Sequence, residues 1–89
     1  VFVIVHGTDT IKETAEFLSN IFDDRAIVLV GAMSPFEVDN IEASFNLGMA
    51  TGFANGVEDY DIYICMNGFT QPWNKIQKNT RFGKFEIVK

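Results

Sequence analysis

The chain has 89 residues, of which 47% are apolar, and its formal net charge is −5. That apolar share excludes an intrinsically disordered chain, and the length suits one small domain. A single Cys excludes an internal disulfide. One Cys and one His together are too few to form the ligand set of a structural zinc ion.

Charge is unevenly distributed along the chain. Residues 1–61 hold eleven acidic side chains against Lys12 and Arg25, a net charge of −9, whereas residues 62–89 have a net charge of +4. These cations form no repeating basic face, so we expect no nucleic-acid partner. The longest apolar run is shorter than the roughly 18 residues of a membrane span, so we expect no membrane partner either.

The first predicted elements are a strand and a helix. Residues 1–5 form a continuous apolar run, typical of a strand covered on both faces in a parallel sheet. In the helix that follows, Thr10 is the expected N-cap, and Glu13 completes a capping box. Apolar residues then recur at helical spacing, at Ile11, Ala15, Leu18 and Phe22.

The same order repeats further along the chain. We predict a strand at 26–30 that ends at Gly31, a loop from 33 to about 41, a helix over 42–55 and a strand over 61–66. Glycines at 48, 52 and 56 recur every four residues, which favours close packing of this helix on the sheet. The fold class is therefore α/β, with a doubly wound, mostly parallel sheet. Because such sheets usually have roughly 5–6 strands, we expect a preceding segment to supply the others.

Ligands of open α/β sheets bind beyond the carboxyl ends of the strands. Residues 6–10, 31–35 and 67–78 fall there, and the first of these segments places two hydroxyls and a carboxylate at a helix N-terminus. Exposed N–H groups at such a terminus favour an anion or a developing oxyanion. Alternatively, these Thr and Asp side chains only cap the helix and stabilise the turn.

A hydroxyl nucleophile needs a nearby base. Thr8 would be served by a lysine whose pKa is lowered by burial or by positive neighbours, and Lys78 and Lys75 are the candidates. His6 lies at the strand end, where a lone histidine is more often a packed, hydrogen-bonded residue. The sequence contains no GxSxG, P-loop or GxGxxG motif.

The segment 3–11, V-I-V-H-G-T-D-T-I, resembles the second signature of the bacterial-type L-asparaginase and glutaminase family. Further segments resemble the family in the same order, so the resemblance covers nearly all of the chain. These segments are residues 13–18, Gly31-Ala32-Met33-x-Pro35, Phe45-Asn46-Leu47 and Met66-Asn67.

The resemblance implies a flavodoxin-like fold, that of part of the N-terminal asparaginase domain. It implies hydrolysis of the side-chain amide of asparagine, or of glutamine, through a threonine acyl-enzyme with no metal or cofactor. Thr8 and Lys78 would be catalytic, whereas Gly7 and Asp9 would bind substrate. Asp9 would bind the α-amino group of the substrate. His6, Ala32 and Met33 would support the site. A cytoplasmic homo-oligomer is expected.

The sequence also departs from the family pattern. The family's principal nucleophile lies in a TGGTI-type segment that these 89 residues do not contain, Ser34 replaces the usual Arg, and Glu42-Ala43-Ser44 replaces Asp-Gly-Pro. The family's second domain is not represented, as in the short single-domain asparaginase-like proteins.

We therefore expect residues 1–89 to be the second half of an asparaginase-like domain, inactive alone, whose first half carries the nucleophile. An alternative is a non-catalytic amino-acid-binding or structural module of the same fold. Nucleotide binding at the switch point of the sheet is a third, weaker interpretation, because there is no Gly-rich phosphate loop.

Overall fold

The chain alternates strands and helices before ending in two hairpins. The structure, a computed structural model, describes residues 1–33, 40–79, 81 and 84–87. Its elements in chain order are β1 (Phe2–Val5), α1 (Ile11–Ile21), β2 (Ile27–Val30), α2 (Asn40–Gly56), β3 (Ile62–Met66), β4 (Phe69–Pro72), a 3-10 turn (Trp73–Lys75), β5 (Ile76–Asn79) and β6 (Lys84–Ile87).

The main sheet has the strand order β1-β2-β3-β4. Strands β1, β2 and β3 are parallel, and β4 returns antiparallel to β3. A separate antiparallel pair is formed by β5 and β6. The predicted α/β class with a mostly parallel sheet is thus confirmed.

The two helices lie on opposite faces of the sheet. On one face, Ile11 and Ala15 of α1 pack in a cluster that contains Leu29 and Ile64. On the other face, a cluster of α2 and sheet residues contains Ala50, Ala54, Val28 and Cys65. Alternate residues of β2 and β3 therefore enter different cores, as the period of two along a strand requires. This confirms the doubly wound arrangement.

The expectation that residues 1–5 are covered on both faces is wrong for this structure. Strand β1 is an edge strand, and Phe2 and Val5 remain 54% and 71% exposed. Strand β2 pairs with one edge of β1, and Val3 packs against the α2 cluster. No described residue pairs with the other edge, so the apolar run lacks the neighbour that would cover it.

Close packing of the α2 glycines on the sheet is also not observed. All three glycines are exposed, and a Cβ added at Gly48, Gly52 or Gly56 would meet no atom within 4 Å. The helix instead faces the sheet with a stripe offset by two residues, at Asn46, Ala50 and Ala54. The short alanine side chains allow the close approach that the glycines were expected to provide.

The N-cap of α1 differs in detail from the predicted capping box. Thr10 is the N-cap residue, but its side chain makes no capping hydrogen bond. Its φ and ψ of −124° and 16° lie outside the β region that N-cap residues normally adopt. The Thr10 carbonyl still accepts the first helical bond, from the N–H of Thr14 at 3.0 Å.

A tight turn at Asn67-Gly68 joins β3 to β4, a strand that the sequence pattern does not indicate. Both residues have positive φ, 51° and 87°, as a two-residue type I′ hairpin turn requires. The Asn67 side chain Oδ1 also accepts the backbone N–H of Phe85 in β6. This turn therefore connects the main sheet to the β5–β6 hairpin. In the described ranges, no helix has the length and apolar character needed to cross a membrane.

Candidate active site

The loop after β1 and the strand β5 meet at the carboxyl end of the sheet. Lys78 Nζ donates to Thr8 Oγ1 at 3.0 Å and to Asp9 Oδ1 at 2.8 Å. The structure therefore brings together three of the residues expected at the site. Lys75, the alternative lysine, is exposed in the 3-10 turn that precedes β5.

Burial differs sharply between the two charged partners. The Lys78 side chain is 21% exposed and that of Asp9 is 94% exposed. The hydrogen bond and the positive charge of Lys78 hold the pKa of Asp9 below its ordinary value of 3.8. Asp9 is thus an ionised carboxylate at neutral pH, open to solvent and able to accept hydrogen bonds from a cationic group.

Lys78 is held in place by the residue opposite it in the hairpin. Lys78 pairs with Phe85 across β5 and β6. Phe85 is only 1% exposed and belongs to the core cluster on the α1 face of the sheet, here called the α1-side core. The Phe85 N–H is bound by Asn67, as described above. Burial of one ring therefore fixes the strand segment from which Lys78 reaches Thr8.

Removing the lysine charge tests this electrostatic pair. We expect Lys78→Met to raise the pKa of Asp9 toward 3.8, because both the hydrogen bond and the cation are lost. The pair contributes fully to the stability of the fold above the ordinary pKa of 3.8, and this contribution is lost as pH falls below 3.8 through the lowered pKa of folded Asp9. Since exposed pairs contribute little to unfolding free energy, the sensitive measurement is an NMR titration of the Asp9 carboxyl carbon.

The matched control is Lys75→Met, which removes the same charge from the neighbouring turn. It should leave the Asp9 titration unchanged. An Asp9 pKa that is identical in wild type and Lys78→Met would contradict the pairing.

Gly31, at the end of β2, lies against the backbone of the β1 loop. A Cβ at Gly31 would overlap the carbonyl oxygen of His6 and would lie 3.2 Å from Thr8 Cγ2. The Gly31 carbonyl accepts from Asn46 Nδ2 at 2.8 Å, and Asn46 is only 2% exposed. The absence of a side chain here therefore lets the β2 loop support the loop that carries Thr8.

We expect Gly31→Ala to lower the free energy of unfolding of the full-length protein by about 1–3 kcal/mol, since the methyl group must displace backbone. Gly48→Ala is the control, because open space surrounds that helical position. It should raise stability by about 0.5–1 kcal/mol, the usual gain for alanine over glycine inside a helix. Urea unfolding measures both, and equal effects of the two substitutions would contradict the close approach at Gly31.

The remaining expected supporting residues lie in the loop after β2. The Met33 N–H donates to Glu42 Oε2 at 2.8 Å, which ties this loop to the first turn of α2. Met33 also packs against the α1-side core. Ser34 and Pro35 lie outside the described residues.

A largely apolar cavity of about 240 Å³ opens on the α2 side of the same sheet edge. Ala32 lines it, together with Ala43 and Ser44 from the segment that departs from the family pattern. Thr8, Asp9 and Lys78 are not among its lining residues, so the cavity is separate from the threonine–lysine pair. In the described part of the chain, no group of three or more His, Cys, Asp or Glu side chains is placed to hold a metal ion.

Three residues at this site were not identified from the sequence as structural partners. Asn46 binds Gly31, Thr14 contacts the ring of His6, and Asn67 binds the N–H of Phe85. A lone Asn in the apolar stripe of α2 and the Asn-Gly pair after β3 are signals that point to two of them. No sequence signal singled out Thr14.

The chain is similar to known proteins of one family. Residues 1–86 match the family model of the asparaginase N-terminal domain. The chain is 40% identical over 68 residues to a glutaminase-asparaginase of Acinetobacter glutaminasificans, covering 73% of this chain and 20% of that protein. It is 49% identical over 47 residues to L-asparaginase 2 of Escherichia coli K12, covering 52% of this chain and 14% of that protein.

A third relative has a different name. The chain is 39% identical over 70 residues to one subunit of the glutamyl-tRNA(Gln) amidotransferase of Methanopyrus kandleri, covering 76% of this chain and 15% of that protein. The chain thus spans a fifth or less of the length of these relatives. Because the family model matches almost the whole chain, the protein belongs to the asparaginase family, through its N-terminal domain.

Proposed function

We propose that the full-length protein hydrolyses the side-chain amide of L-asparagine to aspartate and ammonia through a threonine acyl-enzyme, and that this chain carries part of the site. The observation that supports this most directly is the contact of Lys78 Nζ with both Thr8 and Asp9. Glutamine is proposed as a second substrate, since three relatives are named glutaminase-asparaginase.

In this proposal, Thr8 and Lys78 move the proton. By accepting a hydrogen bond from Lys78, the Thr8 oxygen becomes polarised, and its own O–H is left to donate toward a reacting group. Positioned proton transfer of this kind contributes about 10²–10⁴-fold to a rate.

Asp9 is the proposed anchor for the substrate. An amino acid carries an α-ammonium group, and the Asp9 carboxylate is ionised and open to solvent. Charge-assisted hydrogen bonds from an ammonium to a carboxylate are among the stronger polar contacts in proteins. Gly7, exposed beside it, would contact the same ligand through its backbone.

The principal nucleophile is proposed to come from a segment outside these 89 residues. The edge of β1 that no described residue pairs with, together with the exposed Phe2 and Val5, suits an additional parallel strand that would carry it. A homo-oligomer, with further sheet or helix surface covered by a second copy, is proposed on the same grounds. A cytoplasmic location is proposed from the single cysteine, Cys65, which is buried and free.

Ammonia release from asparagine and glutamine by the full-length protein tests the proposal. We expect turnover of asparagine, and no turnover by residues 1–89 alone. Absence of ammonia release from both amides by the folded full-length protein would refute the hydrolase function.

A non-catalytic amino-acid-binding module is the second candidate. It is favoured by the replacement of the family's Asp-Gly-Pro by residues 42–44, two of which line the cavity beside the site. Calorimetry with asparagine, aspartate and glutamine separates the candidates, because binding of an intact amide without turnover supports only this one.

A further inference from the structure

The imidazole of His6 makes one contact within the loop that carries Thr8 and Asp9, and one contact with helix α1. Its Nδ1 lies 2.6 Å from the carbonyl oxygen of Gly7, and its Nε2 lies 2.9 Å from Thr14 Oγ1. Both His6 and Thr14 are half-buried. The ring is therefore not a surface group in contact with water alone.

The partner atoms determine where the ring protons lie. A carbonyl oxygen only accepts hydrogen bonds, so Nδ1 must carry the hydrogen. In the neutral ring, Nε2 is then an acceptor, and the Thr14 hydroxyl is its donor. The Gly7 carbonyl thus selects the Nδ1–H form of the ring, and the Thr14 hydroxyl donates to the Nε2 atom of that form.

The ring also joins two regular elements across the loop. The His6 N–H donates to the Val30 carbonyl at 2.8 Å, which extends the pairing of β1 with β2. Thr14 belongs to the first turns of α1, where its N–H is bound by Thr10. The side-chain contact therefore closes the loop across its base, between the end of a strand and the start of a helix.

We propose that His6 is a positioning residue that acts through the Gly7 carbonyl as the Nδ1–H tautomer, with its ring oriented by the Thr14 hydroxyl. The Gly7–Thr8 peptide is planar and includes the N and Cα atoms of Thr8. A hydrogen bond to its carbonyl oxygen therefore restrains the orientation of the Thr8 backbone. Thr8 in turn meets Lys78 at 3.0 Å. The effect on catalysis rests on the proposed function, whereas the tautomer and its effect on the loop do not.

The first experiment observes the ring directly in the full-length protein. With ¹⁵N-labelled histidine, the His6 signals, assigned by their loss in His6→Leu, should show a protonated Nδ1 and an unprotonated Nε2. Thr14→Val removes the donor while keeping the side-chain shape and should move the Nε2 signal toward that of an unbonded nitrogen. Thr14→Ser keeps the hydroxyl and should leave the signal in place. A protonated Nε2 in wild type, or an Nε2 signal unmoved in Thr14→Val, overturns the proposal.

The second experiment follows the loop. His6→Asn can place an amide donor near the Nδ1 position, whereas His6→Leu provides none. We expect the Thr8 amide NMR signal to move in His6→Leu and to stay near its wild-type position in His6→Asn. With turnover present, kcat should fall about fivefold in His6→Leu, the effect of one net hydrogen bond, with KM little changed. Equal Thr8 shifts in the two variants would refute the positioning role even if the protein proves inactive toward both amides.

Discussion

Replacing Thr8 by alanine should lower kcat for asparagine hydrolysis by the full-length protein by about 10²–10⁴-fold. The substitution removes the hydroxyl that accepts the Lys78 hydrogen bond, and with it the proposed route for the proton. The fold should persist, because Thr8 lies in a loop and is only half-buried. Ammonia release under saturating asparagine measures the effect.

Two variants make this result specific. Thr8→Ser retains a hydroxyl at the same position and should keep a substantial part of the activity. Thr10→Ala removes a neighbouring threonine whose side chain makes no capping bond, and it should leave turnover close to wild type. Full activity in Thr8→Ala would show that the hydroxyl beside Lys78 takes no part in the reaction.

The second large effect is expected at Phe85. Phe85→Ala should lower the free energy of unfolding by about 3–5 kcal/mol, because it empties a fully buried aromatic site. It should also raise the pKa of Asp9 toward 3.8, since the pairing that holds Lys78 beside Asp9 is weakened. Urea unfolding and the Asp9 titration measure the two consequences separately.

Ile87→Ala is the matched control on the same strand. Ile87 is 50% exposed, so its truncation should cost less than about 1 kcal/mol and leave the Asp9 titration unaltered. Similar losses of stability at Phe85 and Ile87 would mean that β6 does not dock through the aromatic ring.

The order of the first five elements could be predicted because each carries a hydrophobic pattern or spacing of its own. Short apolar runs bounded by polar turns indicated β2 and β3, and the spacing of Ile11 and Ala15 indicated α1. The exposure of β1 could not be predicted from its residues, since an apolar run does not reveal which neighbours are present. The inward face of α2 was assigned incorrectly because glycine spacing cannot distinguish a packed stripe from an exposed one.

The residues of the site could likewise be predicted only in part. Thr8 and Asp9 are adjacent in the sequence, so their motif and their place after a strand identified them together. Lys78 lies 70 residues from Thr8. The choice of Lys78 over Lys75 depends on the pairing of β5 with β6, which the spacing of residues does not give. Contacts such as that of Thr14 with His6 depend on the rotation of α1 relative to β1, which a linear pattern does not contain.

The β5–β6 hairpin is a sheet of its own, joined to the main sheet by the buried side chains of Ile76 and Phe85 and by the Asn67 side chain. Lys78 and Thr8 consequently belong to units with separate backbone pairing. Local opening of the hairpin would dismantle the threonine–lysine pair without melting the parallel strands. A ligand that bridges Asp9 and the hairpin would favour the closed arrangement by mass action, so that occupancy of the site and attachment of the hairpin are thermodynamically linked.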